Sequence, residues 1–337
     1  MRKIFYVLMS LFVAFEITAA AMRCSICNKK IRGKYLKSNG KVFCSQKCYS
    51  KTRPVCAACK KRCMKGSYKK DGKFYCSKAC LETSFPKCAL CGKHFKSGVM
   101  VKSLTGDKVY CKECGALPKC FACGLPAAEG KKFSDGRFIC SECDKSAIYS
   151  LDEAENLFKQ VRTVMGKKLK WETKHRIHFR LVDLDTLKKA SSNFEPGMEM
   201  GLFKHNYTIN TRTETKYSLF KGKEEKTQKF TSNNRYSIML LTGLPKQKFI
   251  EVCAHELGHD WMEEYYPKIK SLKIKEGWAE YVASRVNALY GQSFMNKRMD
   301  MNPNKVYGEG YRFVRDYVKK HGLSGLFQYF RKLERNQ

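Results

Sequence analysis

Residues 244–266 read "LPKQKFIEVCAHELGHDWMEEYY" and predict a long helix that begins after Pro245. His255 and His259 are four residues apart, so both imidazoles project from one face of that helix. This is the spacing at which two histidines bind one zinc ion, and Glu256 lies beside them, where it can accept a proton from a bound water. The stretch therefore predicts a catalytic zinc site, and the alternative is a polar interruption in a buried helix.

The next predicted helix offers the third zinc ligand. It carries "EGWAEY" at 276–281, in which Glu276 is the expected ligand and Glu280, one turn later, is expected to orient a ligand histidine. Cys253 lies about 160° from the histidine face, so we expect it in the core. The remaining histidines with no such spacing are expected to be structural or exposed: His175, His178, His205 and His321.

The sequence around these helices predicts an α+β domain, with a small sheet beside several helices. Ser150 and Glu153 have capping-box spacing, so a helix should run from about Leu151 towards Lys167. The stretch "HRIHFRLVD" at 175–183 alternates as a strand. Two more strands, 224–232 and 235–243 with the turn residues "NN" between them, and two or three helices, near 276–290, 307–321 and 324–333, complete the prediction.

Sixteen of the 18 cysteines form four quartets that precede this domain. The first cysteines of the quartets, Cys24, Cys56, Cys88 and Cys120, are 32 residues apart, and a turn and a short strand precede the second pair each time. A "CxxC" turn points two sulfurs at one ion, and a hairpin returns two more to complete a tetrahedron. The predicted zinc ligands are Cys24, Cys27, Cys44 and Cys48; Cys56, Cys59, Cys76 and Cys80; Cys88, Cys91, Cys111 and Cys114; and Cys120, Cys123, Cys140 and Cys143.

The alternative for these cysteines is a disulfide scaffold, which an exported protein could form. Disulfide frameworks do not usually repeat paired "CxxC" motifs at one period, so we predict about four structural zinc ions. Cys63 falls outside the quartets and is expected to be a spare thiol, and His94 is expected at the surface.

The net charge of +35 suits acidic partners. Four zinc centres of four thiolates each would lower that surplus by about eight, because each adds about −2. The remaining charge is spread without a dense run, which favours a solvated basic surface over a nucleic-acid groove. A nucleic-acid binder is further disfavoured because no base-reading pattern is recognisable.

The first residues predict a secretory signal. Arg2 and Lys3 precede the apolar run "IFYVLMSLFVAF", and small residues follow at Ala19 and Ala21, after which we expect cleavage. The protein is therefore expected to be exported, either periplasmic or secreted, with no stable membrane span after cleavage. An uncleaved signal that anchors the chain in the membrane is the alternative.

Three stretches resemble a known family: "YSIMLLTGLPKQKFIEVCAHELGHDWM" at 236–262, "EGWAEYVASR" at 276–285 and "VYGEGYRFVRDYVKKHGLSGLFQYFRK" at 306–332. The chain from about Ser150 to Leu333 resembles the catalytic domain of the plant organ-size peptidases that follow a LIM domain, and looks like an exported, bacterial-type relative. The resemblance implies a gluzincin-like (zincin-like) metallopeptidase with His255, His259 and Glu276 as zinc ligands and Glu256 as general base.

The same resemblance implies a role for Tyr307, which matches the family's tyrosine and would donate a hydrogen bond to the developing oxyanion. Tyr311 is a close rival, and both could instead pack. The strand "RYSIMLL" is expected either to offer its edge to a substrate backbone or to lie in the core. Linkers of seven, seven and five residues separate the quartets, unlike in a true LIM domain. The resemblance does not carry over ubiquitin control or the plant substrates, because no Glu-rich ubiquitin-interacting helix precedes the fingers and the chain is expected to be exported, whereas the plant enzymes work inside cells.

The prediction from sequence is therefore a signal peptide at 1–21, four LIM-like four-cysteine zinc fingers at 22–145 and a metallopeptidase domain at 146–337. We expect a hydrolase that cleaves protein substrates, with the fingers binding a substrate or a protein partner. The alternative is an inactive zinc-finger scaffold for protein–protein interaction. Residues "DKSAIYS", at 144–150, are too few to act as a free tether, so the fourth finger is expected to pack on the first helix of the catalytic domain.

Overall fold

The computed structural model describes residues 22–102, 107–192, 194, 199–218 and 222–336. The predicted signal segment, residues 1–21, lies outside the described residues. The chain divides into two compact units, of which the first contains residues 22–87 and 93–96, and the second contains residues 88–92 and 97–336. Four clusters of four cysteines precede a mixed α/β region. In the described ranges, no helix is both long and apolar enough to cross a bilayer.

The first unit contains two fingers of one design, each a hairpin followed by a short helix. The turns Asn39-Gly40 and Asp71-Gly72 have positive φ at both residues, which is the two-residue turn that matches the twist of a hairpin. The elements are β1 (Leu36–Ser38), β2 (Lys41–Phe43), α1 (Gln46–Lys51), β3 (Tyr68–Lys70), β4 (Lys73–Tyr75) and α2 (Lys78–Glu82).

A serine begins each helix of the first unit. The hydroxyl of Ser45 accepts a hydrogen bond from Cys48 N, and that of Ser77 accepts one from Cys80 N. The second cysteine pair of these fingers is spaced C-x3-C, so the serine cap fixes the backbone of the last cysteine in each quartet.

The third and fourth fingers belong to the second unit and differ at this point. Their second pair is spaced C-x2-C, and Cys111 and Cys140 themselves stand at the helix N-caps without a side-chain cap bond. The elements are β5 (Gly98–Val101), β6 (Lys108–Cys111), α3 (Lys112–Gly115), β7 (Gly130–Lys132), β8 (Phe138–Cys140) and α4 (Ser141–Asp144).

The rest of the second unit combines one three-stranded sheet with long helices. The predicted first helix begins at Leu151 and continues through a π-helical turn, Met165–Leu169, that ends at Lys170 with φ of 63°. The elements are β9 (Ala147–Ile148), α5 (Leu151–Val164), β10 (Ile177–Val182), α6 (Leu184–Ala190), β11 (Gly201–Ser218), β12 (Gly222–Leu241), β13 (Leu244–Pro245), α7 (Lys246–Tyr265), α8 (Leu272–Leu289), α9 (Asn296–Met301) and α10 (Tyr307–Arg335).

The sheet corrects two predictions. The strands predicted at 224–232 and 235–243 are one continuous strand, β12, because Asn233 adopts a left-handed conformation (φ 55°) inside the strand instead of ending it. β11, which the sequence analysis did not predict, pairs with β12 in antiparallel register, and a register shift lies between Asn206 and Thr208. The hairpin so formed extends well beyond β10, which pairs only with the stretch from Tyr236 to Leu241.

The order of the strands is β10-β12-β11, with β10 parallel to β12. β12 therefore has a partner on both sides, so of the two expectations for "RYSIMLL" the core strand is the one observed. Ile238 and Leu240 on β12 are fully buried. Among the described strands β11, not β12, forms the edge next to α7.

Glycines set how closely the helices behind the sheet approach each other. A Cβ on Gly258 of α7 would lie 2.9 Å from Ala279 Cα of α8, and a Cβ on Gly277 of α8 would lie 2.4 Å from Gly310 O of α10. Both approaches are closer than a side chain permits, so the three helices contact one another through backbone at these points. This contact places the segment containing Glu276 against the histidine face of α7.

The helices predicted near 307–321 and 324–333 form one element, α10, with a kink at Gly322, which has φ of 70° and ψ of 173°. Aromatic rings on α7, α8 and α10 fill the core on either side of the kink: the centroids of Trp261 and Trp278 are 4.6 Å apart, and Trp278 is fully buried. Such rings supply a large share of the apolar burial that holds the helices together.

The fourth finger is joined to the mixed α/β region by buried polar contacts. Arg137 and Asp135 form an ion pair in which both side chains are at most 5% exposed. Arg137 Nη1 donates to Thr242 O (2.8 Å), and Asp135 Oδ2 accepts from Leu184 N (3.0 Å). β9 pairs with β13 in the same place. These contacts reach the turn before α7 and the start of α6, whereas packing on the first helix, α5, was expected.

Candidate metal centre

Three donor atoms from α7 and α8 converge at one point. His255 Nε2 is 3.1 Å from His259 Nε2 and 3.1 Å from Glu276 Oε2, and His259 Nε2 is 3.3 Å from the same carboxylate oxygen. All three side chains are between 14% and 18% exposed. The structure thus brings together the three residues that the sequence analysis proposed as ligands of a catalytic metal.

The triangle fits zinc. Ligand atoms about 2.0–2.1 Å from a tetrahedral ion are about 3.3 Å from one another, which matches the observed separations of 3.1–3.3 Å. Two imidazoles and one carboxylate are a donor set that zinc enzymes use, with a fourth position left for water or substrate. The three residues would hold such an ion without rearrangement of α7 or α8.

The charges of the cluster show what competes with a metal. Burial lowers the pKa of His255, but the hydrogen bond to Glu276 and the nearby carboxylates prevail and raise that pKa to about 9. Burial raises the pKa of Glu276, yet His259 and His255 hold it well below its usual range. A proton on His255 therefore balances the carboxylates in the metal-free protein, and a metal cation would replace that proton.

Glu256 lies beside the three donors and is not one of them. Its carboxylate is buried, and Oε2 accepts a hydrogen bond from Phe203 N on β11 (2.7 Å). Burial raises the pKa of Glu256, whereas the two histidines lower it. The carboxylate therefore stands next to the candidate ion in a low-dielectric pocket, fixed by the edge strand.

Glu280 lies one turn along α8, as expected. Its Oε1 is 3.7 Å from His255 Nδ1, which is an ion-pair separation and longer than a hydrogen bond. Burial raises the pKa of Glu280, and His255 opposes that shift. Glu280 is thus the carboxylate that faces the distal nitrogen of His255.

The two tyrosines of "VYGEGY" separate in the structure. The Tyr307 ring is stacked near His255, with centroids 6.3 Å apart, and Tyr307 lines the cavity. Tyr311 is only 4% exposed and belongs to the core. The position of Tyr307 is therefore compatible with a role at the site, and Tyr311 packs.

A cavity of about 730 Å³ contains the three donors, Glu256 and Tyr307. Its walls come from α7, α8, β11 and the segment from Met295 to Tyr307. Side chains of the third and fourth fingers, Lys102, Ala122 and Cys123, line the same cavity. The fingers of the second unit thus form part of the wall of this cleft.

The four cysteine quartets form as predicted, and each brings four sulfurs within 4.8 Å of one another. Adjacent sulfurs, such as those of Cys44 and Cys48, are 3.5–4.0 Å apart. A tetrahedral ion with bonds of about 2.3 Å to sulfur requires about 3.8 Å. The four quartets therefore suggest about four structural zinc ions.

The thiols of a quartet differ sharply in acidity. Backbone N–H groups lower the pKa of Cys24 to about 6, whereas the neighbouring thiols raise that of Cys44 to about 12. Without a cation, only part of each quartet can ionise at neutral pH. A zinc ion would remove this restriction by stabilising all four thiolates.

The residues expected to lie outside the metal clusters do so. Cys63 is fully buried in the small core of the second finger, and Cys253 is fully buried on α7. His94 is exposed, with Nδ1 2.8 Å from Phe85 O.

Two histidines that the sequence analysis set aside contact carboxylates of α7. His175 Nδ1 is 2.8 Å from Asp260 Oδ1, and His205 Nδ1 is 2.9 Å from Glu263 Oε1. Both imidazoles stack on the ring of Tyr236. They connect the sheet to α7, and no local spacing in the sequence predicts this arrangement.

Comparison with known proteins identifies plant relatives. No family model matches the chain. Protein DA1 of Arabidopsis thaliana is 24% identical over 260 residues, which cover 64% of this chain and 49% of that protein. Protein DA1-related 1 of the same plant is 23% identical over 273 residues, covering 66% and 49%. The LIM domain-containing protein HDR3 of Oryza sativa subsp. japonica is 24% identical over 260 residues, covering 61% and 51%.

The chain spans about half the length of the curated relatives it matches. Its homologues are plant DA1, DA1-related and LIM-domain proteins, which agrees with the four cysteine quartets and with LIM-like fingers.

Proposed function

We propose that this protein is a zinc-dependent endopeptidase with a gluzincin-like domain, which hydrolyses protein substrates. The observation that carries the proposal is the triangle of His255, His259 and Glu276, with donor atoms 3.1–3.3 Å apart and the carboxylate of Glu256 beside it in an open cavity. The likeness to plant DA1 proteins supports the proposal without extending their activity to this chain.

Zinc, when bound, would act as a Lewis acid and lower the pKa of a bound water towards about 7. Glu256 would take the proton from the attacking water and pass it to the leaving amine. Burial raises the pKa of Glu256, and this favours a proton acceptor that can also release the proton in the second half of the reaction.

The other residues position these groups. Glu280 faces His255 Nδ1 and would orient the imidazole and stabilise its ligand tautomer. Tyr307 lines the cavity and is the residue proposed to donate a hydrogen bond to the developing oxyanion. β11 forms the described edge of the sheet at the cavity and would present backbone groups to an extended peptide.

Substitution of Glu256 tests the role of the carboxylate. Glu256→Ala should abolish hydrolysis of unfolded protein and keep the catalytic zinc, because Glu256 is not among the three donors. Glu276→Ala should weaken zinc binding as well. Native mass spectrometry counts the ions, with about five expected in the unsubstituted protein. A Glu256→Ala protein that lost its fifth zinc or stayed active would refute the assignment of roles.

We further propose that the four fingers hold structural zinc and bind a substrate or protein partner, and that residues 1–21 direct export. Purified protein with eight disulfides and a single zinc would contradict the finger proposal. An N-terminal sequence that begins at Met22 in exported material would support cleavage after Ala21.

A further inference from the structure

The edge strand β11 packs directly against the carboxylate of Glu256, and a glycine stands at the point of contact. Gly201 is buried at the start of β11, where it pairs with Leu240 of β12. A Cβ at Gly201 would lie 2.7 Å from Glu256 Oε1. It would also lie 2.7 Å from Leu240 Cδ2 and from Val252 Cγ1. No side chain, even that of alanine, fits here without displacement of a neighbour.

The end of a glutamate side chain can ordinarily swing away from such a contact, but Glu256 cannot do so freely. Its second oxygen, Oε2, accepts a hydrogen bond from Phe203 N at 2.7 Å, two residues further along the same strand. The residue is only 5% exposed, and it lines the cavity together with His255 and His259. The strand therefore holds Glu256 Oε2 by a hydrogen bond, and its backbone at Gly201 limits the position of Glu256 Oε1.

We infer that Gly201 is a positioning residue for the general base, an inference that rests on the proposed function. The absence of a side chain at Gly201 lets the Glu256 carboxylate lie flat against the strand, while Phe203 N fixes its rotation. A methyl group at position 201 would push Oε1 away from the strand and misplace the carboxylate relative to the attacking water. Misplacement of about 1 Å costs on the order of 100-fold in rate.

The test compares Gly201→Ala with the unsubstituted full chain, using a fluorogenic peptide to separate kcat from KM. We expect kcat to fall about 10- to 100-fold, with KM changed less than about 2-fold and the fifth zinc retained. Gly166→Ala is the matched control: its Cβ would meet only the side chain of Glu172, which is exposed and can move, so kcat should not change.

Two double variants separate positioning from packing. Glu256→Asp is one methylene shorter and makes room for the methyl group, so the effect of Gly201→Ala should shrink to less than about 3-fold in that background. Val252→Ala should restore the melting temperature of the Gly201→Ala protein and leave kcat low. If Gly201→Ala alone folds poorly, kcat is measured on the protein that carries both Gly201→Ala and Val252→Ala.

The inference is overturned if Gly201→Ala leaves kcat unchanged, if its effect is simply additive with that of Glu256→Asp, or if Val252→Ala restores kcat. Each of these results would leave the proposed peptidase intact. An unsubstituted protein that hydrolyses no peptide, with its zinc bound, would instead refute the proposed function itself.

Discussion

The first two fingers and the last two share a 32-residue period and the same four-sulfur geometry, but they belong to different units of the molecule. The first pair forms a unit of its own. Hydrogen bonds from the buried Asp135–Arg137 pair and a short strand pairing join the fourth finger to the mixed α/β region, and with the third finger it lines the cavity of the candidate metal centre. Repeats with one period can thus form a separate unit at one end of the array and line the candidate site at the other.

The largest expected effect comes from deleting fingers. Removal of residues 22–87 should leave peptide hydrolysis within about 2-fold of the full chain, because the second unit keeps its own contacts. Removal of residues 22–145 exposes the Thr242 turn and removes a wall of the cavity, so activity and cooperative unfolding should be lost. Peptide-hydrolysis kinetics and thermal melts of both truncated proteins measure these effects. Equal activity and stability of the two proteins would contradict the distinction between the first two fingers and the last two.

The ion pair at the junction gives the next effect. Arg137→Ala leaves Asp135 buried without its partner, which should cost about 3–5 kcal/mol, or about 10 °C in melting temperature of the second unit. Arg62→Ala in the second finger is the control: this exposed arginine donates to the carbonyls of Lys51 and Arg53, and its substitution should cost less than about 1 kcal/mol. Similar losses of stability from both variants would show that buried contacts hold the fourth finger no more tightly than the second finger.

Acid distinguishes the two kinds of metal site. The raised pKa of His255, about 9, means that its proton stabilises the metal-free fold fully below the ordinary value of 6.5, and that this contribution is lost as pH rises through 9. Zinc must displace that proton, so affinity at His255 should fall about 10-fold for each pH unit below 9, or about 2.7 kcal/mol from pH 8 to 6.

Finger affinity should fall more steeply with acid, because several thiol protons return to each quartet, including that of Cys44 with its pKa of about 12. Chelator competition at pH 6, 7 and 8 measures both kinds of site. If zinc affinity at the His255 site fell as steeply with acid as it does in the fingers, the prediction that zinc displaces a single proton there would be wrong.

The smallest effect concerns the helix caps. Ser45→Ala removes the hydroxyl that accepts from Cys48 N and should weaken the first finger by about 1 kcal/mol, or about 5-fold in zinc affinity, with no change in hydrolysis. The fourth finger offers a matched control at Ser141, which follows the cap residue Cys140 and provides no cap hydroxyl. Ser141→Ala should therefore leave zinc binding unchanged. An equal loss of zinc affinity in both variants would show that the helix cap does not explain the effect of Ser45→Ala.

The sequence predicts which donor side chains come together, because their spacing is local. Residues four apart on a helix, and cysteine pairs around a hairpin, converge wherever the chain forms those elements, and both sets converge here. Glu276 could be chosen because α8 follows α7 closely, although the contact that brings it to His255 depends on Gly258 and Gly277, whose packing role has no periodic pattern.

The contacts between distant segments could not be predicted in the same way. Asn233 next to Asn234 is typical of a turn, yet β12 pairs with β11 on both sides of these two residues, and the register shift of the ladder lies opposite them. Phe203 and Gly201 contact Glu256 from more than fifty residues away, so their role depends on register, which sequence alone leaves open. The Arg137–Thr242 bond is of the same long-range kind.

The pairing of β9 with β13 also bears on the order of folding. Ile148 and Leu244 are 96 positions apart, so the chain must close a long loop before the fourth finger can dock. During synthesis at about 5–20 residues per second, that finger would be complete roughly 5–20 seconds before its docking turn emerges. Its cysteines lie within 24 positions of one another, so metal can fold it in that interval. Arg137 and its apolar neighbours should therefore remain exposed in a nascent chain for that interval, even when zinc has already folded the finger.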